Sequence, residues 1–136
     1  MPEIILLDTH LWFWFINKDL TRFPSHWNTV IENATQVGVS PVSCYEIALA
    51  HQRGRLALPC SADQWLQEAL EPSGIDLFPL TADIAYRAVS LSPIHRDPFD
   101  RLIIGTALVY KATLLSIDSV FPQYPELAPY LLRSQP

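Results

Sequence analysis

The stretch HRDPFDRLIIGTAL, His95 to Leu108, sets two aspartates three residues apart in a turn that also carries His95, Arg96 and Arg101. It then runs straight into an apolar helical pattern. Asp97 followed by Pro98 reads as a helix cap with proline at the first helical position. That leaves Asp100 over, because the helix dipole favours a carboxylate in the first turn but does not require one. Three further acids stand at comparable places. Asp8 closes one apolar run, Asp118 closes another, and Glu46 falls in the second turn of a helix that follows a third. In an open parallel sheet such positions meet at the carboxyl ends of the strands. Carboxylates gathered there repel one another unless protons or cations compensate. Hard oxygen donors suit Mg2+ or Mn2+, and such ions can hold a phosphodiester and activate a water for in-line attack.

Each acid also has a plainer reading. Asp8 can cap the helix that contains Leu11, and Asp97 can be only a cap. Asp118 can be a turn residue before Ser119. Glu46 can be the far half of a capping box, Ser43-x-x-Glu46, but not if the helix begins at Ser40-Pro41, which is the preferred start. Taken singly, these readings compete well. Taken together, they leave unexplained why acids recur at the same end of successive units.

The elements that must position the acids follow from pattern and punctuation. Residues 3–7 read as a buried strand and residues 9–16 as a helix at once after it. Residues 25–35 carry a helical pattern, and residues 37–39 read as a second strand. A helix capped by Ser40 runs to Arg53 and stops at Gly54. Residues 61–71 read as a helix opened by Ser61-x-x-Gln64, and 75–80 as a third strand. Thr81 caps a helix to Ser90, residues 93–97 form a loop, and 98–110 form a helix. Residues 113–117 read as a fourth strand. The tail, with Pro122, Pro125 and Pro129, is irregular with room for a short edge strand. Strands alternate with helices and no hairpin signal appears, which predicts an α/β sandwich with a mainly parallel sheet.

The chain has 136 residues, a length suited to one domain over residues 1–136. Charged residues make up 17% against 49% hydrophobic, which argues against disorder. No apolar run is long enough to span a bilayer, and the first residues carry Glu3 and Asp8 rather than a basic leader. Cys44 and Cys60 have no metal-ligand spacing and read as reduced thiols of a cytoplasmic protein. The net charge of −5 equals the charge of the five acids above, so the rest of the chain is formally neutral. A bound divalent metal would offset much of that cluster, so the acidic balance does not exclude an RNA substrate.

Four segments together resemble the PIN-domain family, and most closely the VapC-type toxins of type II toxin–antitoxin pairs. They are LLDTHLWFW (Leu6 to Trp14), VSPVSCYEIALAHQRGRLALP (Val39 to Pro59), HRDPFDRLIIGTAL and LLSIDSVF (Leu114 to Phe121). Their order, spacing and total length fit over nearly the whole chain. The resemblance implies the PIN-like three-layer sandwich and a Mg2+-dependent ribonuclease, with Mn2+ as a substitute ion. It matches Asp8, Glu46, Asp100 and Asp118 to the four acids that hold metal and carry catalysis, with Asp97 as a secondary ligand. Arg96 and Arg101 are candidates to hold those carboxylates or to grip a substrate phosphate, with His95 assisting. For Arg101 a solvated surface charge is weighed equally. One departure is Ile104-Gly105, where the family favours small residues, often alanine. The implied partners are RNA, a cognate antitoxin and a second copy of the chain. The aromatic run Leu11 to Phe15 reads mostly as core, with some apolar surface left for the homodimer or for an antitoxin helix. The resemblance also implies a partner that closes the site. Because the site is negative and that surface apolar, such an inhibitor is expected to lay an apolar helix or strand there and insert a basic residue near Asp8, Glu46 and Asp100.

Other chemistries lack their motifs. A haloacid-dehalogenase-like phosphotransferase needs a second aspartate where His10 stands. Glycines at 38, 54, 74 and 105 only rule out a P-loop, and no nucleophile elbow is present. His10, His26, His51 and His95 show no zinc spacing. The remaining alternative is a PIN-fold module that binds RNA or protein without cutting. The complete set of four acids favours the enzyme.

Overall fold

The computed structural model describes residues 3–134, so the ends of the expected 1–136 domain, residues 1–2 and 135–136, lie outside the described residues. Four short strands, β1 (Ile4–Leu7), β2 (Gln36–Val39), β3 (Asp76–Leu77) and β4 (Thr113–Leu115), form one sheet in the order β3-β2-β1-β4. All three strand pairs are parallel. Beyond β4, Leu131 makes a single parallel bridge to Leu114, which falls short of the edge strand the tail had room for.

The two central strands show why the sheet is buried on both faces. Side chains alternate along a strand. On β1, Ile5 and Leu7 join one core cluster and Leu6 the other; on β4, Leu115 and Leu114 divide the same way. The first cluster is closed by α1 (Thr9–Ile16), α2 (Ser25–Asn33), part of α3 (Pro41–Gln52) and α4 (Ala62–Glu68). Trp12, Trp27 and Trp65 fill it. The indole N–H of Trp12 donates to the Ala69 carbonyl at 3.0 Å, and that of Trp27 to the Arg133 carbonyl at 3.0 Å. Two large rings are thus buried without an unsatisfied donor. The second cluster lies under α6 (Pro98–Tyr110) and the tail, beside α5 (Ala82–Ser90). Complete burial of each such side chain contributes about 1.5–3 kcal/mol. The result is three layers, helices on both faces of a parallel sheet, as expected.

Helix starts follow the sequence signals. Ser40, Ser61, Thr81 and Asp97 each cap a helix with the side-chain oxygen on a backbone N–H. Helix α3 ends at Gln52 with Arg53 as its cap, and Gly54 after it has a φ of +71° that favours glycine. Several expected ends are too long. The third strand is two residues rather than 75–80, because it sits at a sheet edge and Pro79 follows Phe78 at once. The fourth strand stops at Leu115 rather than 117, where Ser116 turns its hydroxyl to Asp8. Helices expected over 25–35 and 61–71 end at Asn33 and Glu68, the latter followed by a turn of 3-10 helix at Glu71–Ser73.

Gly105 explains the departure at Ile104-Gly105. A Cβ there would lie 2.9 Å from the Ile84 carbonyl, so glycine lets α6 approach the backbone of α5. Among the described residues no helix is long and apolar enough to cross a membrane. Cys44 and Cys60 are both free thiols.

Candidate active site

Because β1, β2 and β4 are parallel, the residues that follow them emerge on the same side. Asp8 comes directly after β1, Ser40 after β2 and Ser116 after β4. Asp8, Glu46, Asp97, Asp100 and Asp118 all line one cleft of about 210 Å3, together with Thr9 and His10. The structure therefore brings together every acid singled out from sequence.

Their environments differ. Asp8 is only 6% exposed and uses both oxygens. Oδ1 accepts the Leu11 N–H at 2.8 Å and caps α1, while Oδ2 accepts the Ser116 hydroxyl. The plain capping role and a place in the cleft thus coexist. Burial dominates its titration and raises the pKa to about 6, although the bonds from Ser116 and Leu11 pull the other way. Glu46 projects from the second turn of α3 to the Thr9 hydroxyl, which donates to Oε1 at 2.6 Å. Thr9 and Ser43 also meet, at 2.9 Å. A hydroxyl has one proton, so with Thr9 donating to the carboxylate, Ser43 donates to Thr9. Burial raises the Glu46 pKa, and the Asp97 charge adds to it.

Asp97 caps α6 by accepting the Phe99 N–H at 2.9 Å. That bond fixes the first helical turn, from which Asp100 enters the cleft. The Asp100 pKa is raised to about 7, first by burial and then by the charges of Asp97, Glu46 and Asp118, with His95 opposing. His95 Nε2 lies 3.5 Å from Asp100 Oδ2. One ligand atom each from His95, Asp97 and Asp100 lie within 4.8 Å of one another, close enough to share one cation. Asp118 is exposed, and its Oδ1 accepts the Val120 N–H at 3.0 Å, so the turn reading and the cleft position again coexist.

The two arginines differ, and only Arg101 departs from expectation. Arg96 is exposed and directly precedes Asp97, which lines the cleft. The Arg101 guanidinium is turned away from the acids and binds the carbonyls of Ala88, Val89, Leu91, Ser92 and His95 at 2.9–3.3 Å. It closes the C-terminal end of α5 and holds the loop that carries His95. With its N–H groups taken, Arg101 is neither a phosphate grip nor a solvated charge.

Ser116, Thr9 and Ser43 carry no expectation from sequence as site residues, yet they fix Asp8 and Glu46. The available signal is local. Each is a hydroxyl close in sequence to an acid: Thr9 directly after Asp8, Ser43 three before Glu46 and Ser116 two before Asp118.

The PIN domain family model matches residues 5–127. The chain belongs to the PIN domain family. Within that family it is 30% identical over 115 residues to ribonuclease VapC22 of Mycobacterium tuberculosis, a match that covers 84% of this chain and 86% of that protein. Its PIN fold is also similar to VapBC2 from Rickettsia felis, solved bound to a DNA fragment from its promoter. That match has a TM-score of 0.68 and 19% identity over 95% of this chain and 97% of the other. A toxin–antitoxin complex from Klebsiella pneumoniae matches with a TM-score of 0.60 and 21% identity, over 96% and 97% of the two chains. At those identities the two structures speak to the fold alone.

Proposed function

We propose that this PIN domain is a divalent-metal-dependent endoribonuclease and the toxin of a cytoplasmic toxin–antitoxin pair. The observation that carries the reading is the cleft itself: five carboxylates at the carboxyl ends of parallel strands, two with pKa values raised to about 6 and 7. A site built this way is short of positive charge. Its donors are carboxylate oxygens, with one histidine at the rim, and such a set fits Mg2+ or Mn2+. Asp8, Glu46, Asp100 and Asp118 would hold the ion, with Asp97 as the secondary ligand. When bound, Mg2+ supplies Lewis-acid stabilisation of the phosphoryl group and lowers the pKa of a water.

The chain's own residues supply orientation and proton transfer. Ser116 and the start of α1 fix both oxygens of Asp8, and Thr9 backed by Ser43 fixes Glu46. The raised pKa of Glu46 suits a group that accepts a proton from the attacking water. Arg96 remains a candidate contact for a substrate phosphate. The ribonuclease name of the VapC22 relative supports RNA as substrate, and the toxin–antitoxin assemblies among the fold neighbours support an antitoxin partner. On α1, Leu11 and Trp12 are buried, whereas Phe13, Trp14, Phe15 and Ile16 are only partly so. That half-covered aromatic face suits an apolar antitoxin segment, and an arginine beside it could reach the acids in bidentate fashion.

The test uses purified protein freed of antitoxin. RNA is cleaved with Mg2+ or Mn2+ and cleavage stops with EDTA. Unchanged cleavage in EDTA removes the metal role, and RNA binding without cleavage in either metal points instead to a binding module.

A further inference from the structure

Three hollows in the surface run into one another. The acid cleft shares Thr9, His10 and Glu46 with a groove of about 260 Å3 between α1 and the end of α3. On the other side it shares Asp118 with a groove of about 560 Å3 between the exit of β4 and the C-terminal segment. Each flanking groove is lined by one arginine and several apolar side chains, Phe13 among those with Arg55 in the first and Ile117 among those with Arg133 in the second. Ile117 is 48% exposed, although it sits next to two residues of the acid cleft's own frame, Ser116 and Asp118.

Both arginines are rooted firmly and have free heads. The Arg55 N–H donates to the Ala50 carbonyl at 2.8 Å, and the Gly54 N–H to the His51 carbonyl at 3.0 Å, the pair of hydrogen bonds of a glycine helix end. Arg133 is held through its carbonyl by the Trp27 indole. Both side chains are exposed, and neither forms an ion pair among the described residues, unlike Arg22 with Asp19. Arg101, by contrast, is saturated.

A cleft of five acids repels a polyanion, so affinity for RNA has to come from cations set beside the acids rather than among them. We propose that the three hollows form one track for single-stranded RNA, in which Arg55 and Arg133 hold phosphates on either side of the one that lies in the acid cleft. Phe13 and Ile117 give the flanking bases an apolar face. This rests on the nuclease reading above and adds the path of the substrate. The arginines act as positioning residues: they hold the strand in place and do no chemistry.

The experiment is steady-state cleavage in Mg2+ by wild type, Arg55→Gln, Arg133→Gln and the double variant over a range of salt. Two substrates are used, a single-stranded oligoribonucleotide and a dinucleoside monophosphate too short to reach either groove. On the oligonucleotide each variant raises KM roughly threefold to tenfold with kcat nearly unchanged. The slope of log kcat/KM against log salt becomes shallower by about 0.7 per arginine. On the dinucleotide the differences disappear. Arg55→Lys and Arg133→Lys recover most of the loss, and melting temperatures match wild type. If wild type cleaves and the variants keep its KM and salt slope, the track is wrong and the nuclease reading stands. An equal loss on both substrates overturns the track in favour of a structural role. Variants that keep RNA cleavage but lose antitoxin affinity assign the grooves to the protein partner and overturn it as well. No cleavage by wild type under any metal is the separate failure of the nuclease reading itself.

Discussion

Helix α6 belongs to two regions of opposite character. On the side facing α5 everything is fitted: Gly105 lets two backbones meet, and Arg101 spends its N–H groups on five carbonyls. On the side facing the cleft, Asp100 meets the charges of Asp97, Glu46 and Asp118 and has only His95, at 3.5 Å, in return. A single step along the chain, about 100° around the helix, crosses from one region to the other. The difference teaches that charge alone does not mark a site. Arg101 is charged and saturated, and it serves the architecture. Asp100 is charged and left short, which costs folding free energy unless a cation arrives.

Exchanging Asp100 for Asn should break this contrast most visibly. Cleavage should fall on the order of 10²- to 10³-fold, because one of the carboxylates that would hold the ion is gone. Metal-free protein should melt at the same temperature or higher, because repulsion is relieved. Asp97→Ala should instead lose about 0.5–2 kcal/mol through the missing cap. Assays of cleavage and melting on both variants decide the matter. If Asp100→Asn destabilises as much as Asp97→Ala does, Asp100 is structural and the contrast collapses.

The fitted side is probed by Arg101→Ala. It strands several carbonyls at the end of α5 and frees the loop that carries His95. The expected loss is about 2–4 kcal/mol in urea denaturation. A role in gripping substrate would show the reverse, intact stability with a raised KM.

These two neighbours also show what was legible in the sequence. Asp100 could be found because acids recur at the ends of successive units and because the four segments resemble a known family. Arg101 could not be placed, because its partners are backbone carbonyls of another helix, and carbonyls have no side-chain signature. Ser116 was hidden for a related reason: a hydroxyl near an acid is common, and only the β1–β4 pairing brings this one to Asp8. The parallel sheet and its helix caps were readable because caps and apolar periodicity are local. Strand ends were not, since β3 is an edge strand with Leu77 exposed and its apolar run continues past the last ladder bond.

The cleft should also announce itself through pH. The carboxyls of Asp8 and Asp100 titrate at about 6 and 7 in the folded chain, against an ordinary 3.8. Between those values the folded protein binds more protons than the unfolded one, so folding stability falls as pH rises. Their contribution is full below about pH 4 and lost as pH climbs through 6 and 7. Each group can add at most about 1.4 kcal/mol per pH unit to the slope. Comparison with Asp100→Asn isolates one of them: the variant's advantage should be near zero at pH 4 and greatest at pH 8. Saturating Mg2+ should erase that advantage. A constant difference across the pH range would mean that neither burial nor the neighbouring acids raise the Asp100 pKa.

The smallest effect lies within the cleft itself, at the end of β4. Ser116 donates to Asp8 and accepts the Asp118 N–H at 3.0 Å, so one hydroxyl couples the buried acid to the exposed one. Ser116→Ala removes both bonds and pushes the Asp8 pKa further up, since the serine bond lowers it. At low pH Asp8 is already protonated, and the cost is that of a neutral hydrogen bond, about 0.5–1 kcal/mol. At pH 8 the lost bond is to a carboxylate, and the cost should grow to about 1–2 kcal/mol. Denaturation at the two pH values measures the difference. Only two bonds are lost here, against five carbonyl contacts at Arg101, which is why the effect is modest. An equal cost at both pH values would reduce Ser116 to packing, and Asp8 would then owe its charge to the cap of α1 alone.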